Sequence, residues 1–292
     1  MPELPEVETT IRGLAPFLQH ATIKEVILKR KNLRFDFEKN FAKKLEGQEI
    51  INISRRAKYL LFSLSNNDTL ISHLGMSGSF KIIKDFANHQ AKKHEHVIFS
   101  LHHQEYKNLT LIYTDPRRFG FMDISSDISN NRFLAKLGVE PLSNHFNTAY
   151  LVEQFKGRNL PIKTALLDQT IIAGLGNIYV CEALWQARIH PKTPIKSLID
   201  KNNKPDERLE ILVPAIISIL NQAIKAGGSS LKDFTNANGE QGYFQHSFDV
   251  YGRTNQPCNK ENCSGIIKKI TQSGRSSFYC DKCQNKPVDL EL

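Results

Sequence analysis

No uninterrupted apolar stretch in this chain approaches the roughly 18 residues that a membrane span requires. The opening, MPELPEVETT, is acidic and lacks an apolar core segment, so no signal or transit peptide is read there. No internal repeat is found, which argues against a solenoid or propeller array. Acidic residues are in deficit, 30 Asp and Glu against 39 Lys and Arg, and the resulting net charge of +9 points to a polyanionic partner, nucleic acid or anionic membrane. Cysteine is scarce, with 5 in 292 residues. The chain reads as cytoplasmic, and in a reducing compartment clustered cysteines are metal ligands rather than disulfides.

What is present divides into three textures. Pro5 suits a first helical turn, and Val7, Ile11, Leu14 and Leu18 follow at helical spacing. A short extended tip, Pro2 to Leu4, therefore leads into an amphipathic helix. From about 21 to 125, short β-branched or apolar segments such as KYLLFSL, TLISHL, HVIFSL and LTLIYT alternate with polar turns, the pattern of a sandwich or barrel. From about 133 the pattern is helical. PIKTALLDQTIIAGLGNIYVCEALWQARIHP reads as helix, tight turn, helix, with Gly174 and Gly176 in the turn. Another helix is expected over 206–226, with Pro214 kinking it or marking a late start. GGSSLKDFTNANGEQGYFQ reads as a mobile loop, and the tail after Cys283 as disordered.

Cys258, Cys263, Cys280 and Cys283 form a C-x4-C, x16, C-x2-C pattern. Two close pairs separated by a hairpin-sized gap suit tetrahedral Zn²⁺, and four thiolates leave no open catalytic position, so one structural zinc is expected. Metal binding supplies roughly 10–16 kcal/mol in small zinc peptides, ample for a ribbon with almost no core. Basic residues outnumber acidic ones across the ribbon, a phosphate-facing bias; Arg275 sits in its expected hairpin turn. Asn177 begins a helix whose free N–H groups suit a phosphate. Cys181, the fifth cysteine, reads as a small buried side chain. HLGMSGS and TDPRRFG read as turns that carry Met76, Arg117 and Phe119 beside glycines. Met and Phe on loops can wedge into a base stack, and an Arg can read a base edge.

In this order, MPELPEVET, RRAKYLLF, HLGMSG, KHEHV, TDPRRFG, LLDQTIIAGLGNIY, GGSSLKDF, GYF, VYGR and GRSSFYCDKCQ resemble the formamidopyrimidine-DNA glycosylases from residue 2 to about 284. The resemblance implies an α+β multidomain fold. A catalytic β-sandwich with its leading helix would span 1–132, a helix-two-turn-helix domain with a lesion-capping loop 133–244, a zinc ribbon 245–284 and a tail 285–292. It implies excision of 8-oxoguanine and formamidopyrimidines from double-stranded DNA, cleavage at abasic sites, and a monomer in the cytoplasm that is nucleoid-associated when at work. The family's nucleophile falls on Pro2, exposed once Met1 is removed, its catalytic acid on Glu3 and its supporting carboxylate on Glu6. Phosphate contacts fall on Lys58, Asn177 and Arg275, with His73 and His94 as additions; Lys58 also counts with the catalytic set, as the competing amine. Met76, Arg117 and Phe119 match the residues that fill the gap left by a flipped nucleotide, and the loop from about 229 to 244 matches the one that closes over the lesion.

Two features depart from the family pattern. The first cysteine pair is C-x4-C where C-x2-C is common, and Cys181 replaces an acidic residue. The LPEVE start points to the purine-lesion branch rather than to the related endonuclease VIII enzymes. Two other readings are a zinc-ribbon nucleic-acid binder without catalysis, which has no need of a free Pro2 or of Glu3, and a pyrimidine-lesion glycosylase.

Overall fold

A computed structural model describes residues 2–84, 89–90, 92–229 and 242–285. The chain forms two compact units: residues 1–136 with 224–245, and residues 137–223 with 246–292. This division differs from the contiguous spans read from the sequence. Residues 224–245 return to the first unit, and the cysteine-bearing segment groups with the helical one. The core of the expected lesion-capping loop, residues 230–241, and the tail from 286 onward lie outside the described residues.

The first unit opens with helix α1 (Leu4–Leu18), followed by β1 (Thr22–Leu28), α2 (Phe41–Leu45), β2 (Ile50–Arg56), β3 (Tyr59–Leu64), β4 (Thr69–His73), β5 (Ser79–Ile83), β6 (Glu95–His103), β7 (Lys107–Thr114) and β8 (Phe121–Ser125). Two four-stranded antiparallel sheets result, ordered β1-β6-β7-β5 and β2-β3-β4-β8. One apolar core takes Val26, Phe80, Phe99 and Leu111 from the first sheet and Ile53, Phe62, Leu70 and Met122 from the second. Val7, Ile11, Leu14 and Leu18 of α1 join it, which is why that stripe is apolar.

The second unit contains α3 (Thr148–Phe155), α4 (Ile162–Leu167), α5 (Asn177–Gln186), most of α6 (Glu207–Lys225), β9 (Ile267–Gln272) and β10 (Arg275–Cys280). Pro161 caps α4 and Gly176 caps α5. Pro214 lies inside α6 at an exposed position, so the helix does not start late. Strands β9 and β10 make a hairpin whose two turn residues, Ser273 (φ 48°) and Gly274 (φ 72°), are both left-handed, as the tight two-residue turn demands. Among the described residues no helix is long and apolar enough to cross a membrane.

Candidate active site and nucleic-acid interface

The N-terminal tip does not fray. Glu3 is the N-cap of α1 and forms a reciprocal capping box with Glu6. The Glu3 amide donates to Glu6 Oε2 at 2.8 Å, and Glu6 Oε1 accepts from both the amide and the hydroxyl of Ser229, each at 2.8 Å. Gly228 makes this approach possible: its φ is +79°, and an added Cβ would sit 3.3 Å from the Glu6 side chain. Pro2 is buried, and Glu3 and Glu6 are 2 % and 1 % exposed, so two carboxylates and the chain's second residue share a dry corner.

Helix α1 also fixes a neighbouring hairpin. Arg55 of β2 donates through Nε to Glu8 Oε2 at 3.0 Å and through Nη1 to the carbonyl of Ala57 at 3.1 Å. Ala57 (φ 53°) and Lys58 form the two-residue turn between β2 and β3. Lys58 is buried there, close enough to His73 at the end of β4 to act on its charge. His73 stacks on Phe121 with centroids 5.3 Å apart, and its Nδ1 accepts from the Gly75 amide at 3.1 Å. Burial first, then the positive charges of Lys58 and Arg34, push the His73 pKa down to about 4. The imidazole is therefore neutral at pH 7. With Nδ1 accepting, the proton sits on Nε2, leaving that nitrogen as a donor.

The HLGMSG and TDPRRFG turns meet backbone to backbone. A Cβ on Gly75 (φ +64°) would lie 2.3 Å from both Gly120 N and Phe119 C, so no larger residue fits. Asp115, fully buried, holds the second turn: Oδ1 accepts from Ser77 Oγ at 2.6 Å and Oδ2 from Gly120 N at 2.8 Å. Ser77 Oγ in turn accepts from the Arg117 amide at 3.1 Å. Met76, half-buried, thus shares one ledge with exposed Arg117 and Phe119, whose guanidinium lies 5.2 Å from the ring centroid. Phe119 is 45 % exposed, so much of its ring stands clear of the core. His94 adjoins the same turn; its carbonyl accepts from the Asp115 amide at 3.0 Å.

In the second unit, Asn177 opens α5 and donates through Nδ2 to the Ser276 carbonyl at 2.9 Å. Lys163, 1 % exposed, donates to the same carbonyl at 2.9 Å and to Ser277 Oγ at 2.7 Å. These bonds seat the start of β10, so that exposed Arg275 stands one residue from the position that Asn177 grips. Glu182 of α5, buried, accepts three backbone amides, from Asp249 at 2.9 Å, Val250 at 3.1 Å and Tyr251 at 2.8 Å. Burial pushes its pKa up to about 7 against those donors.

The four cysteines converge. Their sulfurs lie within 4.8 Å of one another, with Cys258–Cys283 and Cys263–Cys280 at 3.7 Å and Cys263–Cys283 at 3.1 Å. Thiolates at 2.3 Å from one ion in a tetrahedron stand roughly 3.8 Å apart, so the set fits a single zinc despite the longer first knuckle. Burial and the three neighbouring sulfurs push the Cys283 thiol up, a crowding that a dication relieves. Cys181 packs beside Cys258 and Cys280 in the same small core, as a buried apolar filler.

Sequence reasoning did not pick out Asp115, Ser77, Ser229, Lys163 or Glu182. Asp115 carried a signal in the motif TDPRRFG, where a carboxylate stands between an apolar strand and a turn. The others carried none that periodicity or spacing exposes.

Three family models match the chain. They are the formamidopyrimidine-DNA glycosylase N-terminal domain over residues 1–122, the formamidopyrimidine-DNA glycosylase H2TH domain over 137–235, and the zinc finger found in FPG and IleRS over 255–286. The chain is 48% identical over 298 aligned residues to the formamidopyrimidine-DNA glycosylase of Allorhizobium ampelinum, covering 97% of this chain and 100% of that protein. Among solved structures it is similar to the Lactococcus lactis Fpg in complex with an abasic site containing DNA, at 35% identity and a TM-score of 0.84 over 98% of this chain and 100% of that one. A variant of the same Lactococcus lactis protein with Fapy-dG containing DNA matches at 35% identity and a TM-score of 0.85 with the same coverage.

Proposed function

The chain belongs to the formamidopyrimidine-DNA glycosylase family and is a DNA glycosylase and AP lyase for oxidised purines, and we propose that it works through an iminium on Pro2. The substrate is double-stranded DNA carrying 8-oxoguanine, a formamidopyrimidine or an abasic site, and the enzyme acts as a cytoplasmic, nucleoid-associated monomer.

The chemistry follows from the amine. An α-amino group ordinarily titrates near 7.7–8.0 against about 10.4 for Lys, so at neutral pH a terminal amine is far more often unprotonated than an ordinary lysine. With Met1 removed, its lone pair attacks C1′ of the damaged nucleotide. The bond from C1′ to the base breaks, and the base leaves with the electron pair and takes a proton. Loss of the amine proton and opening of the sugar ring give the iminium. That cation acidifies the C2′ protons, so the 3′ phosphate and then the 5′ phosphate are eliminated. Glu3 is the group beside Pro2 able to pass protons to the sugar and the leaving base. Glu6 holds the Glu3 amide, and hence the residue before it, in place.

Lys58, His73 and His94 of the first unit, and Asn177 and Arg275 of the second, serve the phosphates. A neutral His73 with its proton on Nε2 is a hydrogen-bond donor there, while Lys58 and Arg275 supply charge. Met76, Arg117 and Phe119 act on the duplex: flipping a nucleotide costs a few kcal/mol, and a stacked aromatic recovers roughly 1–3 kcal/mol. Zinc at the four cysteines orders the ribbon that carries Arg275.

The observation that carries this reading is the buried Pro2–Glu3–Glu6 corner locked by Ser229, which sets two carboxylates beside the residue that would carry the terminal amine. A panel of duplexes, each with one lesion (8-oxoguanine, a formamidopyrimidine, an oxidised pyrimidine, an abasic site), tests it. Strand cleavage at the purine lesions and the abasic site is expected. Binding without cleavage on every duplex would defeat it.

A further inference from the structure

Trp185 is the only tryptophan in the chain. It lies buried in the last turn of α5, and its indole Nε1–H donates to Cys258 Sγ at 3.3 Å. Lys260 sits in the lengthened first knuckle, Cys258-Asn259-Lys260-Glu261-Asn262-Cys263. Its ammonium stands 5.2 Å from the centroid of the Trp185 ring and 3.4 Å from the carbonyl of Gln186, which ends α5. Backbone amides serve two of the other sulfurs as well as this one: Lys260 N to Cys258 at 3.5 Å, Gly265 N to Cys263 at 3.4 Å and Cys283 N to Cys280 at 3.4 Å. Cys258 thus receives a donor from outside the ribbon, and the longer knuckle folds a cation over that donor's ring.

Four thiolates around one dication carry two surplus negative charges. Hydrogen bonds and cations placed around such ligands draw that charge off the sulfurs, and their loss typically changes metal affinity by about 10–100-fold. Resting on the reading of one zinc at the four cysteines, we propose that Trp185 and Lys260 form an outer clamp on the zinc centre. The indole N–H and the ammonium draw charge from the Cys258 thiolate, which slows zinc loss and shields that sulfur from alkylation and oxidation. The clamp also makes the chain's single indole a built-in reporter of metal occupancy.

The test uses full-length, zinc-loaded protein, with elemental analysis first. Trp185→Phe keeps an aromatic ring while removing the N–H together with the volume of the indole's second ring; Lys260→Met keeps the stem and removes the charge. Release of zinc to a chelator, read with a zinc-binding dye, is expected to be about 10-fold faster in Trp185→Phe and less accelerated in Lys260→Met. Iodoacetamide should label Cys258 earlier in both variants. In cobalt-substituted protein the thiolate-to-metal absorption band should shift in Trp185→Phe, a change that packing alone does not produce. In the unaltered protein, indole emission should change on the time course of zinc release. Unaltered release and an unmoved cobalt band in Trp185→Phe overturn the clamp. So does emission indifferent to zinc removal, a measurement that needs no variant and stands even if Trp185→Phe does not fold. Purified protein without zinc overturns the zinc assignment itself and the clamp with it.

Discussion

Glu6→Gln isolates the lock on the N-terminal tip. The carboxylate accepts three hydrogen bonds, two at Oε1 from Ser229 and one at Oε2 from Glu3, inside a site 1 % exposed. Glutamine has nearly the same shape but one acceptor oxygen and one NH₂. If the oxygen faces Ser229, the NH₂ confronts the Glu3 amide; if it faces Glu3, the NH₂ confronts the Ser229 amide. Either way one buried N–H loses its partner and meets another donor. A hydrogen bond to a charged group contributes about 1.5–3 kcal/mol. At about 2–4 °C per kcal/mol for a unit of this size, the melting transition should fall by roughly 3–12 °C. Ser229→Ala removes one neutral donor and leaves both amides in place, so it should cost less, about 1 kcal/mol. Rate is the sharper readout. Loosening the tip displaces the Pro2 amine, and a misplacement of about 1 Å costs on the order of 100-fold. Single-turnover excision of 8-oxoguanine should slow by that order, while affinity for duplex with an abasic-site analogue stays near that of the unaltered protein. Glu6→Gln with unchanged melting and unchanged single-turnover rate would refute the argument that this carboxylate places the nucleophile.

Further expectations follow from the ledge, the zinc centre and His73. Arg117→Ala should lose about 1–3 kcal/mol of discrimination among bases opposite the lesion, roughly 5–150-fold, measured as cleavage of four duplexes that differ only at that base. Phe119→Ala should slow excision from duplex more than cleavage at a preformed abasic site; equal loss on both would mean that the ring serves packing alone. Chelation of zinc should abolish duplex affinity that the first unit cannot supply, and metal-free protein with full affinity would contradict the ribbon's role. His73 has a folded pKa of about 4, lowered mainly by burial, against 6.5 in its ordinary state. Between those values the unfolded chain binds more protons, so stability rises with pH across that window by up to about 1.4 kcal/mol per unit, and is complete above pH 6.5. Denaturant titrations at stepped pH should show this slope reduced in His73→Asn.

Much of this was legible in the sequence because its elements are repetitive or covalently local. The α1 stripe from Val7 to Leu18, the glycine turn before Asn177 and the paired cysteines each carry their signal within a few residues. Helix α2, at five residues, is too short to show a period, and sheet order depends on pairings such as β1 with β6 that no local pattern encodes. The site's supports were hidden for related reasons. Ser229 reaches Glu6 across 223 residues of chain. Lysines ordinarily face solvent, yet the Lys163 ammonium is buried against β10, and only the fold supplies the Ser276 carbonyl that makes such burial tolerable. The compact units group 224–245 with residues 1–136, a pairing that no local pattern encodes, because α6 runs unbroken through that boundary.

The central claim is that the terminal amine of Pro2 does the chemistry. Borohydride reduces an iminium to a stable amine, so it should trap a covalent adduct on lesion-containing duplex, and peptide mapping should place the DNA on the N-terminal peptide. Protein carrying one extra residue before Pro2 has an amide there and should give no adduct while still binding DNA. An adduct that persists in the blocked protein and maps to Lys58 would contradict the account.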